Sequence, residues 1–181
     1  SDLVGLSFSI KSEHAWYVAI GHEEGTQVPF AEGLAALRPL FEDESIGKIA
    51  HNANFDMTVL AGQGIEFNNV DFDSMIAAHL LGRNAIGLKN LALDALGYEM
   101  TPIGDLIGKG KKQLTFDQVD IEPAAKYAAA DADMTCRLRD AFQVPLKRDR
   151  LDSLLADLEM PLVPVLIRMQ RHGIKLDAGN L

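Results

Sequence analysis

The chain opens with two short apolar runs, Leu3–Ile10 and Ala15–Ile20, parted by the polar stretch Lys11–His14. β-Branched and aromatic residues are frequent in both, and the pattern predicts an antiparallel hairpin with Trp16 on its core face. From Phe30 to Phe41 the apolar positions shift to helical spacing, at Leu34, Leu37, Leu40 and Phe41. Ile46–Ala50 is a third strand candidate. It runs into His51-Asn52-Ala53-Asn54, followed by a helix over Phe55–Ala61 that Gly62 and Gly64 close. Val70–Phe72 reads as a short strand, with Asp73-Ser74 capping a helix through Leu81. Leu88, Leu91, Ala92 and Leu96 mark another helix, ended by Gly97. Met100–Gln113 shows no clear period. Asp120 and Pro123 open a long helix to about Phe142. Beyond the basic Lys147–Arg150, a stripe of Leu151, Leu154, Leu155 and Leu158 is interrupted at Pro161 and Pro164 and resumes at Leu166 and Met169.

Strands early, then helices alternating with short strands, predict an α/β fold with a mixed sheet. Residues 1–147 read as one unit. Residues 148–181 read as a linker and a helix that connects to a neighbouring unit. At 181 residues and 48% hydrophobic composition, the chain has enough apolar material for one core and too much for a disordered segment. No apolar run reaches membrane-spanning length, so no membrane partner is expected. A single cysteine excludes a disulfide scaffold and a cysteine-based zinc site. No secretory signal opens the chain, which predicts a cytoplasmic protein. The first residue is Ser1 rather than Met, as expected of a segment of a longer polypeptide. The net charge is −9 and concentrates in the first half, where 5 basic residues face 12 acidic ones over residues 1–90. That balance disfavours gripping nucleic acid by counterion release, but not contact with phosphate through bound divalent metals.

No glycine-rich phosphate loop, serine elbow or histidine-rich metal motif is present. The chemistry rests instead on carboxylates near backbone transitions. Asn52 and Asp56 lie four residues apart where a strand passes into a helix, so both can address one ligand in the crevice beyond the strand end. The plainer alternative is an Asn cap followed by a solvated first-turn Asp. Tyr127 and Asp131 repeat the spacing inside the long helix, among Ala124, Ala125, Ala128, Ala129 and Ala130. A carboxylate in so close-packed a setting needs a partner, a donor or a metal. The alternative has Asp131 and Asp133 facing solvent beside a half-buried Tyr127. Two such carboxylates suit a hard-cation site of oxygen ligands, although two are few for two metals. His14, His22, His51 and His79 read as partly exposed or capping, Cys136 as a small buried residue, and Lys109–Lys112 as a solvated loop.

Ala50-His51-Asn52-Ala53-Asn54-Phe55-Asp56 resembles the second motif of the DEDD 3′→5′ exonucleases. Lys126-Tyr127-Ala128-Ala129-Ala130-Asp131-Ala132-Asp133 resembles their third motif in its tyrosine form. Gly108–Phe116 and the tail from Glu159 to Asp177 are similar to stretches of bacterial family A DNA polymerases of the polymerase I kind. The resemblance implies a ribonuclease H-like mixed sheet flanked by helices and a proofreading exonuclease that hydrolyses the 3′-terminal phosphodiester with two divalent metal ions, Mg, Mn or Zn. By the same resemblance, Asp131 would ligate the first metal directly and Asp56 would help place the second, largely through water. Tyr127 would orient the attacking water. Asn52 would contact the terminal nucleotide with His51 and Phe55 beside it, Leu88 would pack against the DNA end, and Ile103 stands where some members carry an aromatic.

The family's first motif, an Asp-x-Glu pair on the central strand, has no counterpart in the sequence. The central strand is therefore expected to come from an upstream segment, and the two aspartates alone should bind metal weakly. The implied partners are a single-stranded or frayed 3′ end of DNA and a polymerase domain of the same polypeptide, acting in replication and repair at the nucleoid. Two alternatives remain open: a catalytically silent exonuclease-like module, and an RNA exonuclease resembling ribonuclease D.

Overall fold

The computed structural model describes residues 3–175 and 179; Leu176 and Asp177 of the polymerase-like tail lie outside them. β1 (Gly5–Lys11) pairs antiparallel with β2 (His14–Ala19) in the expected hairpin, with Phe8 opposite Trp16. Trp16 is nevertheless half exposed rather than core. The apolar cluster of Phe41, Leu60 and Ile65 reaches Leu6 and Phe8 on β1 but not the second strand. α1 (Phe30–Glu42) leads into β3 (Lys48–Ala50). A crossover through α2 (Ala53–Gly62) brings β4 (Val70–Asp73) parallel to β3. Among the described residues the mixed sheet takes the form of two separate two-stranded ladders, one of each polarity, with no described strand between the hairpin and β3. The α/β class holds.

α3 (Ser74–Leu80) and α4 (Leu88–Leu96) follow, and α4 ends as predicted with Gly97 in the left-handed region at φ 67°. α5 (Ile103–Ile107) occupies the stretch that showed no period, because five residues are too few to display one. α6 (Ile121–Arg148) outruns its predicted end. Pro145 lies in its last turn and removes only one helical bond, while Lys147 and Arg148 favour the negative helix end. α6 packs against both hairpin strands, β3, α3 and α4. It is the wall on which the hairpin, β3, α3 and α4 assemble.

The principal core contains Phe72, Leu91, Leu138, Phe142 and Leu146, and the tail contributes Leu155, Met160, Val163 and Ile167 to the same cluster. The tail comprises a short helix α7 (Asp152–Leu154), a wide π-type turn over residues 155–159, and α8 (Met160–His172). Residues 152–172 stay helical throughout, and the π-type widening over residues 155–159 directly precedes Pro161, so the proline is absorbed without the break that the sequence pattern suggested. Residues 155–167 therefore contribute to the same core as α6. Truncating Ile167 to Ala should lower stability by about 2–3 kcal/mol in denaturant unfolding, with a single transition. An unchanged midpoint would show that α8 does not share the core.

Candidate active site

Two groups of side chains gather around this framework. The first is the corner where β3 passes into α2. Asn52 is the N-cap of α2 and adopts a left-handed conformation at φ 65° and ψ 57°, which Asn tolerates better than most residues. Its backbone N–H, like that of Ala53, donates to the carboxylate of Asp73. His51 bonds Ser74 Oγ through Nδ1 at 2.8 Å, and that hydroxyl donates to the Ala50 carbonyl. Burial holds the His51 ring below its ordinary pKa against the pull of Asp73. One turn into α2, burial raises the Asp56 carboxyl to about 7, and the negative charge of Asp73 adds to the shift. Phe55 is 60% exposed and borders an open groove of about 420 Å³ between α2 and α8. Asn52, Asn54, Gln63 and Gln170 share the lining of that groove.

The second group lies on α6 and the elements beside it. Asp131 Oδ1 is buried without a hydrogen-bond partner. Desolvation raises this carboxyl to about 6, with Lys89 pulling the other way. Tyr127, one turn earlier, is raised to about 12 by burial and by Asp131. Lys89 of α4 stands 4.7 Å from the Tyr127 ring centroid and also donates to the Thr101 carbonyl. The Phe116 ring meets Tyr127 edge-on at 6.2 Å. The charges on α6 divide clearly. Asp133, two residues on, is buried but satisfied by Arg137 at 2.6 Å and by the Glu13 amide at 2.7 Å, so neither aspartate fits the solvent-facing alternative.

Asn52, His51, Phe55 and Asp56 thus share one corner, and Tyr127 and Asp131 share one helix. Leu88 packs against the principal core and against the cluster that contains Ala130. Ile103 is partly exposed on α5, which touches α6. No hydrogen bond or ion pair links the two groups directly among the described residues. They are joined through α6, which packs against β3 and α4. Two features of the candidate site escaped the sequence reading, Lys89 beside Tyr127 and the bonds from Asp73 to the start of α2. Lys89 offered no signal, since a lysine on an amphipathic helix normally marks the solvent side. His22 is a further correction. It is buried between the Tyr17 hydroxyl and the Val119 carbonyl and belongs to no site.

The family model described as 3′-5′ exonuclease matches residues 1–147. The chain belongs to the 3′–5′ exonuclease family, a family of enzymes. DNA polymerase I of Chloroflexus aurantiacus is 47% identical over all of this chain and 19% of its own length, and that of Pseudomonas aeruginosa is 40% identical over all of this chain and 21% of its own. The chain thus spans about a fifth of the curated relatives it matches. Among solved structures, the POL domain of Pol1 from M. smegmatis, in complex with DNA primer-template and dNTP, superposes with a TM-score of 0.71 at 27% identity. That match covers 92% of this chain and 25% of the other. Brucella melitensis NrnC with bound Mg2+ gives 0.68 at 20% identity over 97% of this chain and 81% of that one, a likeness of fold. The shared fold is ribonuclease H-like.

This exonuclease family generally uses divalent metals, and the donor set here fits a hard cation in kind. Asp131 holds an orphaned buried oxygen, and no donor among the described residues reaches the Asp56 carboxylate. In number the set is short, since no cluster of three or more His, Cys, Asp or Glu ligands forms among the described residues. Both carboxyls bind protons more tightly folded than unfolded. Without metal, stability should therefore fall as pH rises from about 4 through about 7, by a few kcal/mol in total. Millimolar Mn2+ should raise Tm more at pH 8 than at pH 5.5, because the metal competes with those protons. Asp131→Asn should raise the metal-free Tm at pH 8 and remove most of the Mn2+ response. An equal Mn2+ shift at both pH values would contradict this account.

Proposed function

We propose that this chain is the proofreading module of a DNA polymerase and removes nucleotides from a single-stranded or frayed 3′ end by hydrolysis. The observation that carries the reading is the orphaned oxygen of Asp131 one turn from Tyr127. With a second desolvated carboxylate at Asp56, it recommends a cation site beside a hydroxyl that can hold water. Asp131 and Asp56 would hold divalent ions, Mg or else Mn or Zn, which supply water activation and neutralise charge on the scissile phosphate. Tyr127, held protonated well above neutral pH, acts as an orienting hydroxyl rather than a base. Asn52 and Phe55 open onto the groove along α2, where amides and an exposed ring suit an unpaired base. His51 backs that corner, Leu88 lies behind the terminal nucleotide, and Ile103 offers an apolar edge without a stacking ring. An acidic chain lacks the charge to hold duplex by itself, which fits action beside a polymerase domain of the same polypeptide, in the cytoplasm at the nucleoid. In this reading residues 1–147 are the nuclease unit and 148–181 the passage toward that domain, with α8 packed on the nuclease core.

One observation favours a second reading, a silent module that keeps the shape without turnover: the described residues gather too few ligands for two metals. Activity decides between them. In the protein as its gene encodes it, Asp131→Ala should abolish release of nucleoside 5′-monophosphates from single-stranded DNA and leave polymerisation intact. Tyr127→Phe should slow release by about 10²-fold with unchanged Mn2+ affinity. No release by the parent protein would support the silent module, and faster release from RNA than from DNA would support an RNA exonuclease. Retained hydrolysis in Asp131→Ala would remove the assignment.

A further inference from the structure

Asp73 closes β4 and is 2% exposed. A carboxylate so fully withdrawn from water needs donors, and four backbone amides supply them. Oδ1 accepts from Met75 at 2.8 Å and Ile76 at 3.3 Å, the local cap of α3. The same oxygen accepts from Asn52 at 3.2 Å, and Oδ2 accepts from Ala53 at 2.6 Å. The last two lie about twenty residues away, at the first turn of another helix. One carboxylate therefore caps α2 and α3 together.

We infer that Asp73 is a positioning residue for the exonuclease reaction, holding the start of α2 so that Asn52 and Asp56 face the DNA end. The inference rests on the exonuclease reading of the site. Three observations support it. The shortest of the four bonds is the one to Ala53, as expected of a charge-assisted contact. Ala53 is fully buried, so no water can replace a lost acceptor. Asn52 occupies a left-handed conformation that costs a non-glycine residue free energy, and it persists between a bond to Asp73 on its own amide and another on the next. The neighbouring His51–Ser74–Ala50 bonds tie the same segment to the same corner.

Two substitutions separate the two capping roles. Asn offers one acceptor oxygen and one NH2 group. Its favourable orientation keeps the oxygen on Met75, Ile76 and Asn52 and turns the NH2 against the Ala53 N–H, donor against donor. Ser keeps the α3 cap and is too short to reach α2. The test compares the parent protein with Asp73→Asn and Asp73→Ser, each as the gene encodes it, by nucleotide release from single-stranded DNA and by amide hydrogen exchange. Both variants should lose about 10- to 100-fold in kcat with KM within about threefold. Exchange should quicken at residues 52–56, while Met75 and Ile76 stay protected. Full kcat in the variants, unchanged exchange at Ala53, or loss of protection throughout α3 and the core would each overturn the positioning role. A parent without nuclease activity would overturn the exonuclease reading and this role with it. Quickened exchange confined to α2 would still mark the clamp, so the two failures are distinguishable.

Discussion

Two partly buried carboxylates without hydrogen-bond donors are the constraint around which this chain is organised. Asp56 and Asp131 are both pushed toward protonation at neutral pH by desolvation, and an oxygen of Asp131 is left with no partner. A fold gains nothing in stability from such groups, since each disfavours the folded state wherever the free carboxylate would be ionised. Other aspartates in the same molecule show what a carboxylate satisfied by donors looks like. Asp73 takes four backbone amides, and Asp133 takes Arg137 and the amide of Glu13. The contrast between satisfied and unsatisfied carboxylates separates framework from site more sharply than burial alone.

The framework that tolerates this strain is built on α6. Its small residues near Ala124 let neighbouring elements approach, while Leu138, Phe142 and Leu146 anchor its later turns in the principal core. The half of the helix that carries Tyr127 and Asp131 is thus braced by the half that carries the core. Lys89 adds an ammonium over the Tyr127 ring and a counter-charge near Asp131, enough to limit the carboxyl's rise without pairing it. α2 is braced differently, through β4 and the cap at Asp73. The geometry of the candidate site consequently depends on two junctions.

Much of this was legible in the sequence because it is local. Apolar spacing located the hairpin, α1, α4 and the body of α6, and Gly97 marked the end of α4. The four-residue intervals Asn52–Asp56 and Tyr127–Asp131 placed each pair on one helical face before any coordinates. What escaped was non-local or too brief. Asp73-Ser74 announced a cap for α3, but nothing near them indicates Ala53 as a further donor. Trp16 looked like core because an alternating strand does not reveal which strand of a ladder is the outer one. The prolines of the tail suggested a break, yet Leu155, Met160, Val163 and Ile167 bury themselves with the core. α5 is too short to have a period.

In the proposed reading Asp56 and Asp131 serve one cation site, although among the described residues no hydrogen bond or ion pair joins their elements. Titrating Mn2+ into 15N-labelled protein at pH 8 and following paramagnetic broadening tests this directly, because the effect falls steeply with distance and is visible even for weak binding. The account predicts that amides around residues 52–56 and 127–131 broaden together at the same Mn2+ concentration, and that Asp131→Asn abolishes both. Broadening of only one segment, or of surface acidic residues in place of both, would contradict it.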